Sequence, residues 1–101
     1  MIVAFDVDLT LTNYDNSPNY EVIDILRWFL RNGDRVIIWS GGGFDYAKSC
    51  AERLGLYGLK NVMCSMKHLP AAQKLKVDIA FDDEFVQLGK VNIKINNLTK
   101  K

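Results

Sequence analysis

Two acids one residue apart, Asp6 and Asp8, follow the apolar run Ile2-Val3-Ala4-Phe5, and a second acidic pair, Asp82 and Asp83, closes Val77-Asp78-Ile79-Ala80-Phe81. Carboxylates are hard oxygen ligands, so two acidic strand ends brought together would bind one cation. Runs of this length and apolarity read as strands buried on both faces of a covered sheet. In open α/β sheets the ligand crevice lies outside the carboxyl ends of the strands, where both pairs stand.

The elements that must position these acids alternate in type. Val22, Ile23, Ile25, Leu26, Phe29 and Leu30 recur at helical spacing and Gly33 follows as a stop, which predicts a helix over residues 20–32. Val36 to Trp39 reads as a short strand ending at Ser40, then Gly41-Gly42-Gly43 leads into a second helix over 45–54, with Asp45 as its expected cap and Gly55 as its stop. Val62 to Met66 is a third strand, and Leu69 to Leu75 a brief helix that tolerates Pro70 in its first turn. The run from Asp78 to Phe81 is the fourth strand, residues 84–89 a connection or helical turn, and Val91 to Ile95 alternates as an edge strand does. Such alternation predicts an α/β, Rossmann-like three-layer sandwich with a mostly parallel sheet. Right-handed crossovers would bring successive strand ends to one edge. Asp6, Asp8, Ser40, a lysine near the third strand, Asp82 and Asp83 would then share a crevice. Each alone has a structural explanation, since acids often begin loops and Ser-Gly-Gly-Gly serves as a turn; their joint placement is what points to a site.

Composition bounds the rest. At 101 residues and 49% hydrophobic content, the chain is expected to form a single domain over 1–101 with one core. A formal net charge of +1 leaves no electrostatic footprint for nucleic acid or an acidic membrane surface, and only Lys100-Lys101 is locally basic. No run approaches the roughly 18 apolar residues of a membrane span, and the first residues lack the layout of a signal peptide, so a cytoplasmic location without membrane partners is the expectation. Cys50 and Cys64 are read as reduced, semi-buried thiols without a function, and His68 as a solvated or satisfied loop residue.

In the order and spacing of these groups the chain resembles the haloacid dehalogenase-like phosphohydrolases along nearly its whole length. Asp6-Val7-Asp8-Leu9-Thr10-Leu11-Thr12 is similar to that superfamily's first motif, Val36 to Ser40 to its second, and Asp82-Asp83 to its fourth. The resemblance implies a Mg²⁺-dependent phosphatase in which Asp6 is the nucleophile that becomes an aspartyl phosphate, and Asp8 protonates the leaving oxygen and then activates water. It also implies Asp6 and Asp82 as side-chain metal ligands. Asp8 would add its backbone carbonyl, and Asp83 would act directly, through water or by a hydrogen bond. Ser40 with the amides of Gly41 and Gly42 would hold the phosphoryl oxygens, and Thr10 would donate nearby. For the third motif, Lys67 is expected as the active-site lysine because it directly follows the third strand; Lys74 is the runner-up and Lys76 reads as a solvated flank.

Neither 13–20 nor 56–61 can fold into the cap domain that members of this superfamily usually insert. The resulting open crevice, unless another subunit closes it, would suit a bulky phosphorylated substrate such as a nucleic-acid end, a phosphoprotein or a carrier-bound phosphate; a small phosphorylated metabolite is the other expected substrate. Tyr14, Tyr20, Phe44 and Tyr46 would rim its entrance or simply pack. A catalytically inactive phosphate-binding or scaffold module is the alternative. A phosphoacceptor receiver domain gathers similar groups, but there the acid pair ends the first strand, whereas here the spaced pair comes first and the adjacent pair last.

Overall fold

Three central strands carry almost no polar side chain before their last residue, and the computed structural model, which describes residues 1–98, buries them between helices. Lys100-Lys101 lies outside the described residues. In chain order the elements are β1 (Ile2–Asp6), α1 (Tyr20–Arg31), β2 (Arg35–Ser40), α2 (Phe44–Arg53), β3 (Val62–Met66), α3 (Leu69–Leu75), β4 (Ile79–Asp82) and β5 (Val91–Lys94). The five strands form one sheet in the order β3-β2-β1-β4-β5, and every pairing is parallel. The chain thus builds outward from β1 through β2 to β3, then crosses back to place β4 on the other side of β1. That reversal puts a topological switch point between β1 and β4, where crevices form in open α/β sheets.

One face of the sheet, with Val3, Phe5, Val36, Ile38 and Phe81, packs on the apolar sides of α1 and α2 through residues such as Leu26, Phe29, Ala47 and Ala51. The Phe5 and Phe81 rings stack at 4.6 Å and the Phe29 ring meets both edge-on. The opposite face buries Ala4, Ile37, Trp39 and Ala80 with Ala72 and Val77, under α3. The result is the three-layer, capless α/β sandwich expected from the sequence, with every strand parallel. β5, exposed along its length, finishes one edge.

One local expectation is revised. Asp45 does not cap α2: the helix starts one residue earlier, Gly43 takes the cap position with φ 106°, and no side chain bonds there. A positive φ of that size favours glycine, which accounts for the third glycine of the turn. Residues 84–89 take the first of their two expected forms, an irregular connection. His68 caps α3, its Nδ1 accepting the Ala71 N–H at 3.0 Å, so it is a satisfied loop histidine. Both cysteines are free and buried, and no helix among the described residues is long and apolar enough to cross a membrane.

Candidate active site

The carboxyl ends of β1 and β4 meet across the switch point. Asp6 and Asp82 are buried there, 5% and 1% exposed, although a carboxylate is rarely so enclosed without a partner. The partner is Lys67. It directly follows β3, its backbone N–H donates to the Ser40 carbonyl at 2.8 Å, and its ammonium reaches across the strand ends to donate to Asp6 Oδ1 at 2.8 Å and Asp82 Oδ2 at 2.9 Å. Lys74 and Lys76 are exposed on and just after α3, and Lys74 lines a groove with Met63, Met66 and Leu75.

Asp83 completes the cluster: Asp6, Asp82 and Asp83 each offer a carboxylate oxygen within 4.8 Å of the others. Three acids face one ammonium, so the cluster holds more negative charge than Lys67 can balance. Burial, with the charges of Asp82 and Asp83, pushes the Asp6 carboxyl up to about 7 against the pull of its Lys67 hydrogen bond. Burial alone would lower the Lys67 ammonium, but its hydrogen bonds to Asp6 and Asp82 outweigh that and raise it. Excess carboxylate oxygens at such spacing are a chemical match for a hard divalent cation such as Mg²⁺, which Asp6, Asp82 and Asp83 could hold.

Asp8 stands apart from this cluster. Strand periodicity would point it the same way as Asp6, but β1 ends at Asp6 and the chain enters a widened turn over Val7–Leu11. Thr12 closes that turn by donating both its N–H (3.1 Å) and its hydroxyl (3.3 Å) to the Val7 carbonyl. Val7 and Leu11 are fully buried and anchor it, while Leu9 takes a left-handed φ of 62°, an uncommon conformation for a branched residue. Asn97 ties the turn from a distance: its Nδ2 lies 3.3 Å from the carbonyls of both Leu9 and Thr12. Asp8 is thereby lifted into solvent, where its Oδ1 accepts the Tyr46 hydroxyl at 2.6 Å. That bond, with burial and the Asp8 charge added, keeps the Tyr46 phenol well above the ordinary tyrosine range, so it remains a donor. A hollow of about 200 Å³ beside Asp8 is lined by Leu9, Thr12, Asn13, Tyr14 and Asn16.

Ser40 ends β2 next to the β1 terminus, since Trp39 is the register partner of Asp6. Its Oγ accepts the Gly42 N–H at 3.0 Å, which leaves the hydroxyl proton available to an anion. Gly41 is exposed, and a side chain at that position would meet nothing within 4 Å. Thr10 differs from its expected surroundings: it is fully buried beneath the turn, and its hydroxyl has no hydrogen-bond partner.

The structure therefore brings together Asp6, Lys67, Asp82 and Asp83, sets Ser40, Gly41 and Gly42 on the adjoining strand end, and holds Asp8 at the rim through Tyr46. Tyr46 was legible only as a rim aromatic. Its bond to Asp8 spans 38 residues and follows from the start of α2, which no local signal reports. No family model, curated protein or solved structure matches the chain.

Proposed function

We propose that this chain is a capless haloacid dehalogenase-like phosphatase, hydrolysing a phosphomonoester with Mg²⁺ through an aspartyl phosphate on Asp6. The observation that carries the reading is the Lys67 ammonium held between Asp6 and Asp82 at a parallel-sheet switch point, with Asp83 close enough to share a cation. Lys67 takes one oxygen of Asp6, leaving Oδ2 to attack phosphorus as the bond to the leaving oxygen breaks. The leaving oxygen takes a proton from Asp8. Asp8, now a carboxylate, accepts a proton from a water whose oxygen attacks the same phosphorus, releasing inorganic phosphate and restoring Asp6. Mg²⁺ held by Asp6, Asp82 and Asp83 would offset the repulsion between the anionic phosphoryl group and the carboxylates. Ser40 and the glycine turn at the start of α2 would hold phosphoryl oxygens, aided by the positive end of that helix.

Without a cap, the crevice stays open to a large substrate such as a phosphorylated nucleic-acid end or phosphoprotein, as well as to a small phosphorylated metabolite. Purified chain with Mg²⁺ should hydrolyse p-nitrophenyl phosphate, and chelator should abolish that turnover. Full activity in excess chelator would remove the metal assignment. No turnover of aryl phosphates, nucleotides, sugar phosphates, phosphopeptides or end-phosphorylated oligonucleotides would leave only a phosphate-binding module.

A further inference from the structure

The general acid of the proposed reaction sits outside the regular strand, on the turn that follows β1. Asp8 follows the last strand residue by two, precedes a residue with left-handed φ, and is exposed to solvent. Nothing in the sheet fixes its carboxylate, and at such a position its torsions would be free to rotate between staggered wells. Asp8 Oδ1 is instead taken by the Tyr46 hydroxyl at 2.6 Å, which leaves Oδ2 as the oxygen able to carry a proton to the substrate.

The Tyr46 ring is held in turn by the other half of the crevice. It lies across Gly42 so closely that a Cβ there would stand 3.3 Å from its Cδ2 and 3.4 Å from Ser40 Oγ. Gly42 is at the same time the residue whose amide bonds Ser40 Oγ at 3.0 Å. One side chain thus packs on the turn expected to hold the phosphoryl group and bonds the acid expected to protonate the leaving group.

We propose that Tyr46 is a positioning residue: it orients Asp8 toward the leaving oxygen and sets that orientation relative to the Ser40-Gly42 turn. This inference rests on the phosphatase reading and adds to it a residue that touches neither phosphate nor metal. It carries a specific signature, because proton donation matters only where the leaving group needs a proton. An alkoxide leaves poorly unprotonated, whereas p-nitrophenolate leaves without help. The quotient kcat/KM reports the steps through the first irreversible one, here phosphoryl transfer to Asp6, so comparing it across the two leaving groups isolates the acid.

The test compares wild type with Tyr46→Phe, which keeps the ring over Gly42 and removes only the hydroxyl, on p-nitrophenyl phosphate and on a simple alkyl phosphomonoester, each with Mg²⁺. Tyr46→Phe should lower kcat/KM for the alkyl ester roughly tenfold, a fraction of the 10²- to 10⁴-fold contribution of a positioned general acid, and change the aryl ester by less than about threefold. The melting temperature should stay at the wild-type value. Equal losses on both esters would show a merely structural tyrosine and overturn the proposal, as would unchanged kinetics on both. A wild type inactive on both esters and on the wider panel of phosphorylated substrates named above would instead remove the phosphatase reading, and the role of Tyr46 with it.

Discussion

Asp6 and Asp78 sit at opposite ends of the same strand pair and are treated in opposite ways. Where β1 and β4 begin, Asp78 accepts the Ile2 N–H at 2.7 Å and has the Lys90 ammonium 3.5 Å away; the backbone bond first, and Lys90 after it, hold its carboxyl below the ordinary range. Where the same strands end, Asp6 is buried beside Asp82 and Asp83 with one shared ammonium, and its carboxyl is raised to about 7. The first end places an acid where the fold gains from its charge. The second crowds three acids around one ammonium, an arrangement that the proposed phosphatase reading explains by a bound cation.

The sharpest way to break the contrast is Asp6→Asn. If the crowded end is the reacting end, the nearly isosteric amide should lower phosphatase turnover on the order of a thousandfold or more. The chain should stay folded and, without metal, become more resistant to urea than wild type. Wild-type turnover in this variant would end the covalent mechanism.

Lys67→Met keeps the aliphatic stem and deletes the charge that joins Asp6 to Asp82. The expected loss is about 3 kcal/mol of transition-state stabilisation, roughly a hundredfold in rate, with stability also falling because two enclosed carboxylates lose their partner. Lys74→Met and Lys76→Met should stay within a few-fold of wild type, as expected for solvated lysines. A large loss at Lys74 instead would move the role there, and three near-neutral substitutions would argue against an active phosphatase.

The smallest effect carries opposite signs at the two ends. In the metal-free chain, folded Asp6 binds its proton more tightly than unfolded Asp6 does, so its contribution is greatest below 3.8 and is lost as pH rises toward about 7. Asp78 binds its proton less tightly when folded, so its contribution is present above 3.8 and is lost as pH falls through its depressed value. Urea midpoints across pH in chelator should show Asp6→Asn flattening the loss between acid and neutral pH, and Asp78→Asn removing part of the acid-side loss. Identical profiles for the two variants would erase the distinction between the ends.

Much of this arrangement was readable in the chain because burial on both faces of a parallel sheet writes itself as continuous apolar runs. Every strand and helix lies within about two residues of its expected bounds, and the approach of Lys67 to Asp6 follows from its position just after β3. What could not be read depends on where the backbone leaves regular geometry. The widened turn over Val7–Leu11 breaks the periodicity that would have aligned Asp8 with Asp6. It also encloses Thr10, which as a threonine after a strand looked available to a phosphate. The bonds from Tyr46 to Asp8 and from Asn97 to Leu9 join segments 38 and 88 residues apart, and neither residue type advertises its partner.

The strand order also sets how the protein must assemble. β1, β2 and β3 are contiguous neighbours, whereas the β1–β4 pairing joins Val3 to Ile79 and requires closure of a long loop. The acids of β4 are therefore expected to arrive late, at a partly formed edge that already carries Asp6. That approach is opposed by like charge, but the earlier segment also holds Lys67, anchored to the Ser40 carbonyl at 2.8 Å beside the same edge. If Lys67 also draws in the incoming strand, Lys67→Met should slow folding as well as hasten unfolding, which stopped-flow refolding and unfolding rates would check.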